Sequence, residues 1–419
     1  MSGLPQTEAL GINGLGRIGK LTVWHHVARR HFPRLVVNLG REAGRSLEDV
    51  CQTIEKDSTY GRMHHFLFGV GAEPCIRIED RERGILRVAD TPVQILREAR
   101  NPKDIGWRDH GVRVVVDTTG AFGDPTDPLD APGGSLRGHR AAGAEKVVYS
   151  AAFKIKDKAR SLPDDSALLI YGINHELFDP ARHDLVSAAS CTTTALAHMV
   201  KPILDRLRYS NVLTASMSTV HAVTNTQSVL DNVPKAGAKD LRRSRSILNN
   251  VILTSTNAAA ALEQVIPEIA EVGFMADSVR IPVPTESLII LNMTFQSRLD
   301  DDGQSSVTRQ ALNDIYRSVA EGEAKGLLVY SEEQNVSADV SGMKAAVVIE
   351  GVETHTRTGF VDLDLRGLEG LDPALLESTD PVVQVPVTHA KVCGWYDNEY
   401  GSYTNLLGDL TVYVRSQLD

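Results

Sequence analysis

Two rhythms of hydrophobic and polar positions run along the chain. In its first part, short apolar runs rich in β-branched residues alternate with helical stretches: Ala9–Asn13 and Leu35–Asn38 predict strands and Leu21–Ala28 the helix between them. Gly14-Leu15-Gly16-Arg17-Ile18-Gly19 is the turn joining the first strand to that helix, completing a βαβ unit. Leu47–Glu55 predicts a helix, Val112–Asp117 a strand, and Arg137–Ala144 a short helix leading into a strand over Lys146–Ser150. This alternation predicts a parallel, doubly wound sheet. Gly120–Gly134, dense in Gly, Pro and Asp, and the charged Lys154–Asp165 read as surface loops whose conformation leaves the sheet unmoved.

The rhythm then changes. Leu196, Met199, Val200, Ile203, Leu204 and Leu207 recur at spacings of three and four, predicting an amphipathic helix over Thr192–Leu207 with a kink at Pro202. Beyond it come strands over Ser287–Phe295 and Ala345–Ile349, a helix over Thr308–Ala320, and few Gly-rich turns between them. The fold class expected is α/β: a doubly wound, Rossmann-type cofactor domain followed by an α+β catalytic domain. The length of 419 residues allows two or three domains.

Composition narrows the function. Hydrophobic residues at 42% and charged residues at 23% describe an ordinary globular protein. The net charge of −10 argues against a nucleic-acid partner, which needs a concentrated basic surface. Cys51, Cys75, Cys191 and Cys393 lie far apart with no C-x-x-C pair, so neither a metal site nor a disulfide framework is expected, and a reducing cytoplasm fits. Met1–Thr7 lacks the basic and apolar regions of a secretion signal, and no stretch is long enough to span a membrane.

Three constellations carry chemistry. Gly14-x-Gly16-x-x-Gly19, between strand and helix, is suited to a dinucleotide pyrophosphate at the helix N-terminus, or equally to a tight turn needing positive φ. The acidic residue expected about 20 positions on, for the adenosine ribose, is replaced by Leu39, with Arg41 and Arg45 following. That leaves both NAD and NADP open. Cys191, in Ser190-Cys191-Thr192-Thr193-Thr194 at a helix start, is the nucleophile candidate, with His221, at the end of an apolar strand, as its base. Lys239–Arg245, Ser255-Thr256-Asn257 and Arg280 offer cations and hydroxyls to a phosphate, although three arginines in four residues also suit subunit packing.

In order along the chain, Ile12–Gly19, Asp57–Arg62, Gly172–Glu176, Ser190–Thr193, Thr219–Ala222, Leu241–Arg245 and Trp395–Glu399 resemble the phosphorylating glyceraldehyde-3-phosphate dehydrogenases nearly end to end. The resemblance implies a homotetramer with a dinucleotide-binding domain over 1–190, completed by 395–419 with its helix at about Ser402–Gln417. Residues 191–394 would form the catalytic and tetramerisation domain. It implies that Cys191 attacks the aldehyde while His221 accepts its proton, and that Gly14, Gly16, Arg17, Ile18, Asn38, Thr119 and Asn398 bind the cofactor. Thr224, Thr226 and Arg280 would take the substrate phosphate; Ser190, Thr192, Thr256, Asn257 and Arg243, or Arg245 in its place, would take inorganic phosphate.

The sequence departs from that pattern at several positions. Thr194 and Ala195 stand where the family has Asn and a second Cys, Asn257 replaces a glycine beside the attacking phosphate, and the aromatic after Gly401 is displaced by one, to Tyr403. Extra length falls at Gly120–Gly134, Lys154–Asp165 and Thr354–Thr379. The alternatives are a dehydrogenase of another phosphorylated aldehyde, such as erythrose 4-phosphate, and a binding paralogue without catalysis.

Overall fold

The computed structural model describes residues 8–207, 211–367, 370 and 380–419. The chain divides into two compact units: Met1–Thr194 with Ser341–Ala346 and Asp397–Asp419, and Ala195–Val340 with Val347–Tyr396. The first contains the predicted βαβ start, with β1 (Ala9–Asn13), α1 (Arg17–Arg29) and β2 (Leu35–Asn38). Next come α2 (Leu47–Glu55), the two-residue strands β3 (Lys56–Asp57) and β4 (Gly61–Arg62), α3 (Met63–Phe68), β5 (Ile76–Asp80), β6 (Ile85–Val88) and β7 (Thr91–Leu96). β8 (Val112–Asp117), α4 (Leu136–Ala141), β9 (Lys146–Tyr149), β10 (Ser166–Leu168) and β11 (Leu185–Ser187) complete the main sheet, in the order β10-β11-β9-β8-β1-β2-β7-β6-β5.

From β10 to β7 the pairing is parallel, as the alternation predicts, and these strands are apolar and buried: every residue of β1, β2 and β9 is. At one edge the parallel sheet is extended by an antiparallel pair, β6 and β5. The reason is local: Gly84 (φ 65) and the Ala89-Asp90 turn allow tight hairpins, so no crossover helix separates these strands. The two expected loops are irregular, yet they are tied to each other. Asp124 is buried, its carboxylate accepts from the Lys156 amide at 2.8 Å, and the Lys154 amide donates to the Gly123 carbonyl at 2.7 Å.

α5 (Cys191–Arg206) begins at the candidate nucleophile and runs through Pro202 as helix. Burial of Met199, Val200 and Ile203 around it offsets the backbone bond that proline removes. The second unit holds β12 (Asn211–His221), β13 (Ile252–Thr254), α6 (Ala258–Val265), β14 (Gly273–Arg280), β15 (Glu286–Gln296), α7 (Arg309–Glu321), β16 (Leu328–Ser331), β17 (Val347–Glu350), β18 (His355–Asp364) and β19 (Val382–Asp397). Its sheet runs β13-β14-β12-β15-β19-β17-β16, with β18 paired on β19. β15 alternates strictly, burying Ser287, Ile289, Leu291, Met293 and Phe295. The segment Thr354–Thr379, expected as loop, is instead a ten-residue ladder of β18 on β19 through Asp364; residues 368–369 and 371–379 lie outside the described ones, as does Met1–Thr7.

The final helix, α8 (Asn405–Ser416), is shorter than expected because Tyr400–Thr404 forms a π-helical turn. Asn405 fixes that turn by donating through Nδ2 to the carbonyls of Tyr400 and Gly401 at 2.9 and 2.7 Å. α8 buries Leu407, Leu410 and Val414 in the core of the first unit. No helix among the described residues is long and apolar enough to cross a membrane.

Candidate active site

In the first unit, the three turn glycines meet three different demands. Gly14 has φ 98, a region that side chains avoid. A Cβ on Gly19 would lie 2.1 Å from the Gly14 carbonyl oxygen, so only glycine lets α1 pack on the turn. A Cβ on Gly16 would meet nothing within 4 Å: its open space faces outward, where a ligand can approach the backbone. α1 has no side-chain cap and no carboxylate in its first turn, so its first amides suit an anion. These features fit the pyrophosphate of a dinucleotide.

The side chain of Arg17 is committed elsewhere. Its guanidinium pairs with Asp57 and Glu399 and reaches Thr59 at 3.5 Å, so it braces the site through ion pairs. Asp57, fully buried, also takes Lys20 at 2.7 Å and the amides of Thr59 and Tyr60. Burial pushes its pKa up, but Lys20, these amides and Arg17 outweigh that and hold it below the usual carboxylate value. Asn38 is likewise spent on the protein: its Nδ2 donates to Asn13 Oδ1 at 2.9 Å and to the Ala99 carbonyl at 3.0 Å. Thr119, exposed after β8, donates its hydroxyl to Asp117 at 2.7 Å, and Ile18 packs against the core.

Asp117 closes a buried relay. Trp107 Nε1–H donates to His139 Nδ1 at 2.8 Å, so the His139 proton sits on Nε2, which faces Asp117 at 3.0 Å; Asn13 donates to the same carboxylate at 2.8 Å. Asn398 is buried in the turn after β19. That turn is built on Asp397, whose carboxylate accepts from Tyr60 Oη at 2.7 Å and from the Glu399 and Gly342 amides at 2.8 Å each. Burial pushes Asp397 up to about 6 against these donors.

Cys191 is half-buried at the first position of α5, and the unit boundary at Thr194 leaves it in the first unit. Ala189, two residues before it, has φ 57, a conformation that costs a non-glycine residue roughly 1–3 kcal/mol and is characteristic of functional sites. Ser190 is the helix cap: its Oγ accepts from the Thr193 amide at 3.1 Å and shares a proton with Thr193 Oγ1 at 2.8 Å. Thr192 is buried in the first turn.

In the second unit, the period of two along β12 buries Ala215, Met217, Thr219 and His221 on one face. His221 Nδ1 faces both the Ala222 carbonyl oxygen and an Arg280 nitrogen, each at 2.7 Å. Burial and then Arg280 lower it to about 4, with the carbonyl opposing. Its ring meets Tyr396 edge-on at 6.1 Å, and Tyr396 Oη is hydrogen-bonded to Thr219 at 2.8 Å. Thr224 and Thr226 share a hydrogen bond at 2.9 Å.

Of the three neighbouring arginines, Arg242 is held by Asp240 at 2.8 Å and Arg245 by Asp231 at 3.0 Å. Arg243 makes no salt bridge among the described residues, with Asp240 acting on it only at longer range, and it lines a cleft of about 870 Å³ with Thr226, Gln227 and Ser255. Asn257 caps α6 with φ −97, which asparagine adopts without strain, and Thr256 Oγ1 accepts from the Ala258 amide at 3.2 Å.

Comparison with known proteins decides the family. Residues 8–125 match the NAD binding domain of glyceraldehyde 3-phosphate dehydrogenase and residues 190–363 its C-terminal domain. The chain is similar to glyceraldehyde-3-phosphate dehydrogenase of Streptomyces coelicolor, at 32% identity over 98% of this chain and 100% of the relative. It is similar too to glyceraldehyde-3-phosphate dehydrogenase 1 of Streptomyces avermitilis, at 33% over 98% and 100%, and of Bacillus cereus, at 31% over 97% and 98%. The chain belongs to the glyceraldehyde-3-phosphate dehydrogenase family.

For this family member, sequence reasoning missed the supports of the cofactor site. Asp57, Tyr60, Asp397 and Glu399 lie inside motifs that carry the resemblance, and that position was the available signal. Trp107, Asp117 and His139 had none: they are scattered along the chain and meet only through the sheet.

Proposed function

We propose that this family member oxidises glyceraldehyde 3-phosphate to 1,3-bisphosphoglycerate with NAD or NADP and inorganic phosphate. The observation that carries the reading is Arg243, which makes no salt bridge among the described residues and stands beside Thr226 and Ser255, offering an anion site besides Arg280. Acyl-phosphate formation needs two anion sites, one for the substrate phosphate and one for the attacking phosphate. In this reading Arg243, rather than Arg245, serves the second, with Ser190, Thr192, Thr256 and Asn257; Arg280, Thr224 and Thr226 serve the first. Cys191 Sγ attacks the aldehyde carbon and His221 accepts the thiol proton, giving a hemithioacetal. A nicotinamide held by Asn398 would supply the hydride acceptor that converts the hemithioacetal to a thioester. Inorganic phosphate then attacks the resulting thioester carbonyl, the C–S bond breaks, and the thiolate is regenerated.

Gly14, Gly16 and the first-turn amides of Arg17 and Ile18 would hold the pyrophosphate, and Asn398 the nicotinamide carboxamide, with Asn38 and Thr119 shaping the pocket wall. NADP remains open through Leu39 and the exposed Arg41. Residues 1–190 with 395–419 would act as the cofactor domain and 191–394 as the catalytic and tetramerisation domain of a cytoplasmic homotetramer serving glycolysis or gluconeogenesis. The assembly is supported by exposed apolar side chains that need a cover: Leu230, Val233, Leu241, Val251, Leu253 and Met275.

The test is the initial rate of glyceraldehyde 3-phosphate oxidation with each cofactor, with and without inorganic phosphate, against Cys191→Ala as blank. Phosphate-dependent reduction is expected. Turnover independent of phosphate, or only with erythrose 4-phosphate, would overturn the reading in favour of another phosphorylated aldehyde; folded protein with no turnover would favour a binding role. If NADP is used, Arg41→Ala raises its KM well above any change for NAD, and equal changes would remove Arg41 from specificity.

A further inference from the structure

At the C-terminal end of α1 stands a group of side chains that neither the cofactor turn nor the catalytic residues use. His25 and His26 are consecutive in the helix, and Arg30 in the left-handed region (φ 53) turns the chain so that His31 folds back over them. The three rings form a nearly regular triangle, with centroids 4.9, 5.3 and 5.4 Å apart. One nitrogen from each lies within 4.8 Å of the others, and His26 Nδ1 and His31 Nδ1 are 3.2 Å apart. We propose that His25, His26 and His31 form a three-imidazole site for a divalent transition-metal ion of the zinc class.

The geometry is close to what such an ion demands. Two nitrogens at about 2.0–2.1 Å from a tetrahedral zinc are separated by roughly 3.3–3.4 Å, close to the His26–His31 pair, and rotation of His25 brings in the third. Imidazole nitrogen is a preferred ligand for zinc, copper and nickel. His25 and His26 are buried, and among the described residues Nε2 of each has no hydrogen-bond partner, so the imidazole polarity of this group is only partly satisfied by the protein. His31, half-buried, provides the entry path.

The surroundings say how the site is regulated. Arg29 donates to His25 Nδ1 and to Asn405 Oδ1, both at 2.6 Å, so its guanidinium competes with a metal for the His25 side of the triangle. Asp409 acts on His31 with opposite sign to Arg29 and Lys344, and pairs with Lys344 at 3.6 Å.

The experiment is titration of chelator-treated Cys191→Ser protein with Co²⁺, read by its visible absorption, and with Zn²⁺, read by calorimetry; the substitution removes the thiolate that would compete. One ion per chain is expected, with a tetrahedral cobalt band. His31→Gln should weaken binding at least about ten-fold while the far-ultraviolet circular dichroism stays native, and Arg29→Gln should tighten it. No stoichiometric binding at micromolar metal, or binding unchanged in both His26→Gln and His31→Gln, would overturn the proposal.

Discussion

At the scale of the residue, the pair His221 and Arg280 governs how the candidate base behaves. With Arg280 donating to Nδ1, the imidazole proton is held on Nε2; with Nδ1–H donating to the Ala222 carbonyl, Nε2 becomes the base. A phosphate that drew Arg280 away would select the second arrangement and raise the pKa. Arg280→Gln is therefore expected to move His221 from about 4 toward the ordinary value near 6.5, followed by NMR titration of the ring. Because the folded value is depressed, the stability it contributes is complete above pH 6.5 and is lost as the pH falls toward 4. The variant should flatten the dependence of Tm on pH in that window; an unchanged pKa would remove Arg280 from control of the base. At this scale the sequence disclosed residue types better than their engagements. Cys191, His221 and Arg280 were legible from spacing and neighbours. That Arg17 and Asn38 spend their side chains on the protein was not, because their partners Glu399 and Ala99 are distant in the sequence and are chosen by the folded chain.

Elements show the same division. β1, β2 and β8 were readable to the residue because a strand largely buried on both faces is mostly apolar, each ending here on a polar residue, Asn13, Asn38 or Asp117. β5, β6 and β18 were not: their exposed or alternating positions, with charged residues between them, look like loop until a neighbouring strand pairs with them. The start of α8 was also misplaced, since a π-helical turn takes up an extra residue that helical periodicity does not count. The turn from β1 to α1 gives the sharpest test at this scale, because its glycines differ in what surrounds them. Gly16→Ala should leave Tm within about 2 °C, since its Cβ enters open space, and should raise the KM for the dinucleotide several-fold. Gly19→Ala should destabilise the protein by roughly 2 kcal/mol or more, because the Gly14 carbonyl is in the way. Thermal unfolding and cofactor kinetics on both variants check this, and equal losses of stability would refute the distinction.

For the molecule as a whole, the exposed apolar residues of the second unit are the property most open to measurement. Met275 and Leu253 project from the β13–β14 edge of its sheet, 72% and 57% exposed. If they are covered by another copy, Met275→Glu should shift the sedimentation coefficient toward smaller species, whereas a monomer would be indifferent to it. The bipartite plan was legible from the change of rhythm near Cys191. Its interleaving was not, since nothing local marks Ser341–Ala346 as part of the first unit. That interleaving bears on how the protein is made. The buried pair of Glu8 with Arg415, the ties of Asp57 and Glu399 through Arg17, and the apolar face of α8 all join the earliest described residues to segments translated after nearly all of the second unit. A nascent chain on the ribosome therefore carries an open cofactor unit, its apolar groove uncovered, for most of its synthesis. Stalling translation after Tyr396 should leave a chain that binds no dinucleotide and is held by chaperones that recognise exposed apolar surface.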